Sequence, residues 1–398
     1  MQTRMERYSP SPNKLGEAIR EPVYRMARRN KAQKNLKTDA RLTPFDVKTK
    51  GTFAELPALP KEGPRKTTPE EMYANNHAKV ELGRAIGNVS RMAEVFKSDL
   101  EDMNRGKRGR PFLFSDTLII WMLSFFTVFN CDYRLVAGFT ESLLRDKGVE
   151  TPSFSRFHER VRMLKDGLLL PEDSPIRMKH KGVLAVKVCN NVTDRVRRVG
   201  IDSTGINLSD TTYWRVNKWH QEKNVKGWLI LHALSDVDSG EILAYAVSDD
   251  SVRDSPMLRI LVEEAKNARH RFDTVYADNA YAGVENWKFL CQENKYRFVT
   301  AFSVSTSPTN NGCLARGEAA RLWCSLPYDR WVEESGYGTR WKCECVFSDF
   351  KRLFPETVTA RKQQHIVAQI SSRVDEFNDY KMIRAGLMHT TGNGVTIA

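Results

Sequence analysis

Arg197-Arg-Val-Gly-Ile-Asp-Ser-Thr-Gly-Ile206 has strand character and carries one acid, Asp202, in its middle. Two more strand-like runs follow, Trp228-Leu-Ile-Leu-His-Ala-Leu234 and Glu241-Ile-Leu-Ala-Tyr-Ala-Val247. Asp236-Val-Asp-Ser-Gly240 between them is turn chemistry, so the pair reads as a hairpin. A helix then begins at Asp254-Ser-Pro-Met, with Asp254 or Ser255 as its N-cap. Thr274–Ala277 is a short buried strand, Gly283–Gln292 a helix and Tyr296–Ala301 another strand, and a late helix stops before Pro355. The fold class is α/β, a mixed sheet flanked by helices.

That late helix carries Tyr337, Arg340, Glu344 and Lys351 in the spacing Y-x2-R-x3-E-x6-K. At about 100° per residue, steps of three, four and seven return to nearly the same side of an α-helix. A stripe of one carboxylate, two cations and a phenol suits a site that holds a metal ion and a phosphate together. Gly336 and Gly338 flank Tyr337, so the helix is expected to begin near Thr339, which leaves the phenol's direction open. Upstream, Asp202 and the Asp278 of Val275-Tyr-Ala-Asp278-Asn-Ala-Tyr281 supply two further acids. Three acids in one place repel one another unless cations sit between them. Oxygen-only donors favour Mg²⁺ or Mn²⁺ over Zn²⁺. Two such ions about 4 Å apart support in-line displacement at a phosphodiester.

The order Asp202, Asp278 in an Asp-x-x-Tyr string, then Glu344 in a Tyr/Arg/Glu/Lys stripe resembles the DDE transposases of prokaryotic insertion sequences, over about Gly106 to Arg384. The resemblance implies an RNase H-like catalytic domain, with Asp202 and Asp278 on adjacent strands and Glu344 completing the site around two Mg²⁺ or Mn²⁺ ions. It implies that Tyr337, Arg340 and Lys351 hold phosphates of the terminal nucleotides. It also implies strand cleavage at mobile-element ends, transfer of the freed 3′ end into target DNA, and a homodimer pairing two ends of double-stranded DNA. Two alternatives stay open: an RNase H-like DNA nuclease without strand transfer, and a DNA-binding protein without activity.

Bulk composition agrees with a polyanionic partner. The chain has 398 residues, 41% hydrophobic, and a formal net charge of +13, which disfavours cationic substrates. Paired-carboxylate glycoside hydrolysis fits this charge, and the Arg and Lys of the stripe, poorly. Residues 1–50 hold thirteen Lys and Arg against five Asp and Glu, so 1–66 reads as a basic, flexible segment that orders on a polyanion. Residues 67–170 read as a helical DNA-binding region, 190–360 as the catalytic domain and 361–398 as a C-terminal helix and tail. In the helical region Thr68 caps a first helix. The loop Arg105-Gly-Lys107-Arg108-Gly-Arg110 and the helix with Arg156, Arg160 and Arg162 are its candidate DNA contacts; a solvated basic face is the alternative for both.

Seven scattered cysteines form no CxxC pair, so no disulfide framework or zinc set is expected. The longest apolar run, Leu118–Phe129, falls short of the roughly 18 residues that cross a bilayer. With no secretory leader at Met1–Tyr8, a cytoplasmic protein on a prokaryotic chromosome is expected. Asp236 and Asp238 read as turn residues, Asp254 as a cap, and Trp323 and Trp331 as core rather than base-stacking groups. Ile230 stands two residues before His232 where the resembling family often has lysine, which weakens a phosphate role for that strand.

Overall fold

A computed structural model describes residues 68–165, 167–208, 228–360, 362–385, 388–391 and 394–397. The basic 1–66 segment therefore lies outside the described residues. Six helices come first: α1 (Pro69–Gly87), α2 (Val89–Asn104), α3 (Asp116–Val128), α4 (Tyr133–Leu144), α5 (Phe154–Leu164) and α6 (Pro175–Lys179). The α1 start is a capping box: the Thr68 hydroxyl accepts from Glu71 N, and the Glu71 carboxylate accepts from Thr68 N. At the starts of α3, α4 and α5 the side chains of Ser115, Asp132 and Ser153 accept from backbone N–H groups, without the reciprocal bond. The apolar run of α3 is the centre of this layer, with Ile119 and Met122 fully buried against Phe96 of α2 and Phe157 of α5.

The sheet is built from β1 (Val183–Val188), β2 (Arg197–Leu208), β3 (Trp228–Asp236), β4 (Ile242–Asp249), then after α7 (Asp254–Asn267) β5 (Phe272–Ala277), and after α8 (Val284–Trp287) and a π-helical turn, β6 (Arg297–Thr300). Its order is β1-β4-β3-β2-β5-β6, antiparallel as far as β2 and parallel from β2 through β5 to β6. With the added edge β1, this is the RNase H-like arrangement the element order implies. The β3–β4 hairpin closes through Gly240, whose φ of +77° suits a residue without Cβ. β1 lies between residues 170 and 190, where the sequence reading placed no element. Its Val183-Leu-Ala-Val run pairs with β4 at the sheet's outer edge.

Helices α9 (Leu314–Ser325), α10 (Tyr328–Ser335) and α11 (Trp341–Leu353) follow, then β7 (Thr357–Val358), which adds to β2, and α12 (Gln363–Arg384). Side-chain alternation divides the sheet's two faces. Ala244 and Ala246 face α7 through Leu258 and Leu261, whereas Tyr245 and Val247 join the core of α11 and α12 through Phe350, Ile370 and Phe377. Each fully buried Leu or Phe contributes about 1.5–3 kcal/mol, so both faces are tightly committed.

Helix α12 is buried along most of its length, between the sheet and the helical layer, where Tyr380 and Ile383 enter the α3 core. Arg373, 2% exposed, donates from Nη1 to Pro355 O and from Nη2 to Thr357 O, both at 2.8 Å. Its guanidinium thereby fastens the segment after α11 to α12. Burial without a carboxylate pulls its pKa down to about 10.

Facing α3, Glu376 is pushed up to about 8 by burial, with neighbouring Asp379 and Asp375 adding to the shift. Between its ordinary 4.5 and 8 the folded chain holds a proton that the unfolded chain has lost. Stability therefore falls as pH rises through that window, by at most about 1.4 kcal/mol per pH unit. Glu376→Gln removes the linkage. Its melting temperature should match the native protein's near pH 5 and exceed it by several degrees at pH 8.5; equal melting temperatures at both pH values would rule the linkage out.

Candidate active site at the ends of the central strands

Asp202 lies mid-way along β2, opposite Ala233 of β3. On its other side β2 runs parallel to β5, with Gly200 beside Tyr276. Two residues further along both chains come Asp202 and Asp278, so strand register itself brings the two acids abreast. Asp278 ends the strand and caps the 3₁₀ turn Asn279–Tyr281, its Oδ1 accepting from Ala280 N at 2.9 Å. Asp202 Oδ1 accepts from Ser203 N at 2.9 Å. Burial pushes the Asp202 carboxyl above the usual range; Ser203 N–H and Arg340 oppose this, while the charges of Asp278 and Glu344 add to it. Asp202 thus senses both other acids.

Glu344 reaches this place because α11 seats closely on β2. Cys343, 1% exposed, lies over Gly200, where a Cβ would stand 1.9 Å from its Sγ. Only glycine permits that approach. Glu344 itself is solvent-facing and receives a hydrogen bond from Arg340 Nη1 at 2.5 Å. Burial disfavours the Arg340 charge, but Tyr337, Glu344 and Asp202 together hold its pKa above the ordinary value.

The stripe is only partly helical. Tyr337–Arg340 form a 3₁₀ turn after Gly336, which has φ +72°, and the α-helix begins at Trp341. The turn points the Tyr337 ring at buried Trp331, 4.9 Å between centroids. Lys351 stands about 10 Å along the axis from Glu344, its Nζ 3.6 Å from Glu356 Oε1.

Among the described residues no three His, Cys, Asp or Glu side chains are close enough to hold a metal ion. The donor set nevertheless fits a hard divalent cation. Asp202, Asp278 and Glu344 are all oxygen donors, burial together with the charges of the other two acids raises the Asp202 pKa, and Arg340 is the cation set against it.

Of the basic residues in the helical layer, Arg105, Lys107, Arg108 and Arg110 are exposed on a loop with Gly106 and Gly109 at positive φ. Arg105 pairs with Asp102 at 2.5 Å, and Lys107 Nζ lies 4.2 Å from the Phe112 ring centre. Arg156 pairs with Glu159 at 2.6 Å. Arg160 turns inward to Asp116, tying α5 to the start of α3. Arg162 lines a cavity of about 420 Å³ with His158 and His365.

Sequence reasoning passed over one polar group beside Asp202. Arg253, not Asp254 or Ser255, occupies the N-cap position of α7. Asp254 Oδ1 lies 3.3 Å from Nδ1 of fully buried His232, whose Nε2 is 2.9 Å from Ser248 Oγ. His232, with the Ser203 hydroxyl, holds the Asp254 carboxyl below its usual range. The available signal was His232 itself, a polar residue in the middle of an apolar strand. Trp331 is core, 2% exposed and edge-on to half-buried Trp323 at 4.6 Å.

Residues 197–374, which include all three acids and the whole stripe, match the family described as Transposase DDE domain. Among solved structures the chain is similar to one in the simian T-cell lymphotropic virus intasome in complex with PP2A regulatory subunit B56 gamma. That match has 15% identity and a TM-score of 0.19, over 51% of this chain and 66%, just under two thirds, of that one. It is also similar to a chain of the Drosophila P element transposase strand transfer complex, at 10% identity and a TM-score of 0.26, over 73% of this chain and 85% of that one. Neither superposition carries the assignment, which rests on the family match. Over residues 197–374, less than half of its length, the chain matches the transposase DDE domain.

Proposed function

We propose that the protein cleaves phosphodiester bonds at the ends of a mobile DNA element and transfers the freed 3′ ends into target DNA, with Asp202, Asp278 and Glu344 as the catalytic carboxylates. The observation that carries this reading is the parallel register of β2 and β5, which sets Asp202 and Asp278 abreast beneath the helix that brings Glu344. These three carboxylates would hold two Mg²⁺ or Mn²⁺ ions. Such ions, when bound, polarise a phosphoryl oxygen and stabilise both the attacking and leaving oxygens of an in-line displacement. Arg340 neutralises Glu344 and would pass to a DNA phosphate if bound metal drew the carboxylate inward. Lys351 and Tyr337 are the further phosphate contacts, Lys351 as a point charge and Tyr337 as a hydroxyl donor.

The helical layer over 67–170 is the proposed docking surface, with the loop Arg105, Lys107, Arg108 and Arg110 and the α5 residues Arg156 and Arg162 toward DNA. Arg160, engaged by Asp116, supports the layer from within. The basic 1–66 segment adds charge, and a homodimer pairs two element ends. The protein works in the cytoplasm on the chromosome. No helix among the described residues is long and apolar enough to cross a membrane.

The test is incubation of the purified chain with linear DNA bearing the element's own ends and Mg²⁺, with products resolved by strand. Nicked and joined products are expected, and binding that weakens steeply with salt. Nicks without joined products would reduce the protein to a nuclease, and no cleavage with intact binding would leave only a DNA-binding protein.

A further inference from the structure

The cavity of about 420 Å³ between the helical layer and the start of α12 is lined by none of Asp202, Asp278 and Glu344. One wall is aromatic. Tyr133 packs on Phe126 at 4.7 Å between ring centres, His158 stands edge-on to Tyr133 at 5.3 Å, and His365 stands edge-on to His158 at 4.7 Å. The charges around this wall are unevenly met. Lys165 is committed to Asp375 at 3.0 Å, and the one lining acid, Asp132, caps α4 through its Oδ1. Arg162 is exposed, lines the cavity and makes no ion pair among the described residues. Burial, together with the charges of His158, Lys362 and Arg162, holds the His365 imidazole below its usual range, so these cations converge on one place.

That place is the first turn of α12, a helix of 22 residues whose start has no side-chain cap and no acid. A helix start favours negative charge, and this one is surrounded by positive charge. An anion there resolves the mismatch. A buried donor asks for an acceptor independently. Gln369, one turn further along α12, is 5% exposed and lines the cavity; its Oε1 accepts from Ala360 N at 3.3 Å, while its Nε2 has no partner among the described residues. A buried amide donor without an acceptor destabilises the fold.

We propose that this cavity is a nucleotide pocket: Arg162 and the first turn of α12 take a phosphate, Gln369 Nε2 donates to an acceptor of the same ligand, and the aromatic wall packs against the base. Phosphate alone would leave the aromatic wall unused, and a purely apolar ligand would leave the cations and Gln369 unanswered. A free mononucleotide and the end nucleotide of a DNA strand share this chemistry. The pocket does not rest on the reading of the three acids.

The experiment uses the full chain in EDTA, with dAMP as probe, deoxyadenosine and inorganic phosphate as its parts, and calorimetry as readout. dAMP should bind at least about 10-fold more tightly than either part. Arg162→Ala and Gln369→Glu should each weaken dAMP binding by about 10-fold or more. The first changes an exposed side chain and should melt at the native temperature; the second keeps an oxygen for Ala360 N and replaces only the donor. A single-stranded oligonucleotide with a terminal phosphate that displaces dAMP identifies a strand end as the source, and one that does not identifies a free nucleotide. Absence of dAMP binding, dAMP bound no better than either part, or native affinity in folded Arg162→Ala would each overturn the proposal. Because the assay holds neither metal nor element DNA, such a failure leaves the cleavage reading standing, and loss of that reading leaves the pocket standing.

Discussion

Asp202→Asn should lower Mg²⁺-dependent strand cleavage by on the order of 10³-fold, because metal-ion stabilisation of the transition state amounts to several kcal/mol. The same substitution should raise the melting temperature of the metal-free protein. Burial and the charges of Asp278 and Glu344 hold the folded Asp202 carboxyl above its usual range. The folded chain therefore binds that proton more tightly than the unfolded chain, and at neutral pH the ionised group lowers stability. The amide keeps the shape and can still accept from Ser203 N, but carries no charge. Opposite movement of activity and stability marks a functional acid. Cleavage within 10-fold of native, or a lower melting temperature, would assign Asp202 a structural role instead.

Gly200→Ala should have the second largest effect. The added methyl would stand 1.9 Å from Cys343 Sγ and 3.3 Å from Val237 Cγ1. Cys343 is buried in the first turn of α11, so its sulfur has no open space to turn into and the helix must lift. Overpacking of this kind costs about 1–3 kcal/mol. Glu344 is the next residue, and a misplacement of about 1 Å at a reacting centre can cost 10²-fold in rate. Cys343→Ala in the same chain removes the sulfur and leaves Cβ atoms 3.5 Å apart, an ordinary contact. The double variant should recover most of the stability and bring cleavage to within about 10-fold of native. A silent single variant, or a double variant as poor as the single, would show that α11 does not rest on Gly200 in this way.

Much of the sheet was legible because its strands obey local chemistry. Arg197–Ile206, the Asp236–Gly240 turn and the buried Thr274–Ala277 run lie where their residues place them. Asp202 and Asp278 could be found because each sits at a polar interruption of an apolar strand. β1 was missed because its apolar run is short and ends in Lys187 at a sheet edge, where one partner strand suffices. The stripe was legible as spacing but not as shape: a helical wheel assumes α geometry, and the chain uses a 3₁₀ turn after Gly336. Asp254 was taken for a cap because an aspartate before Ser-Pro is ambiguous by one residue, and only the fold brings His232 to it. The Arg340–Glu344 clasp, by contrast, is a contact four residues apart, which the spacing of the stripe does encode.

The family match ends at residue 374, halfway along α12. Scissors applied at its two ends, 197 and 374, would strip Phe377 from one hydrophobic core and Tyr380 and Ile383 from another, and would also remove β1, the partner of β4. The boundary of the family match is thus not a boundary of autonomous folding: the matched segment shares its hydrophobic cores with the rest of α12, the helical layer and β1.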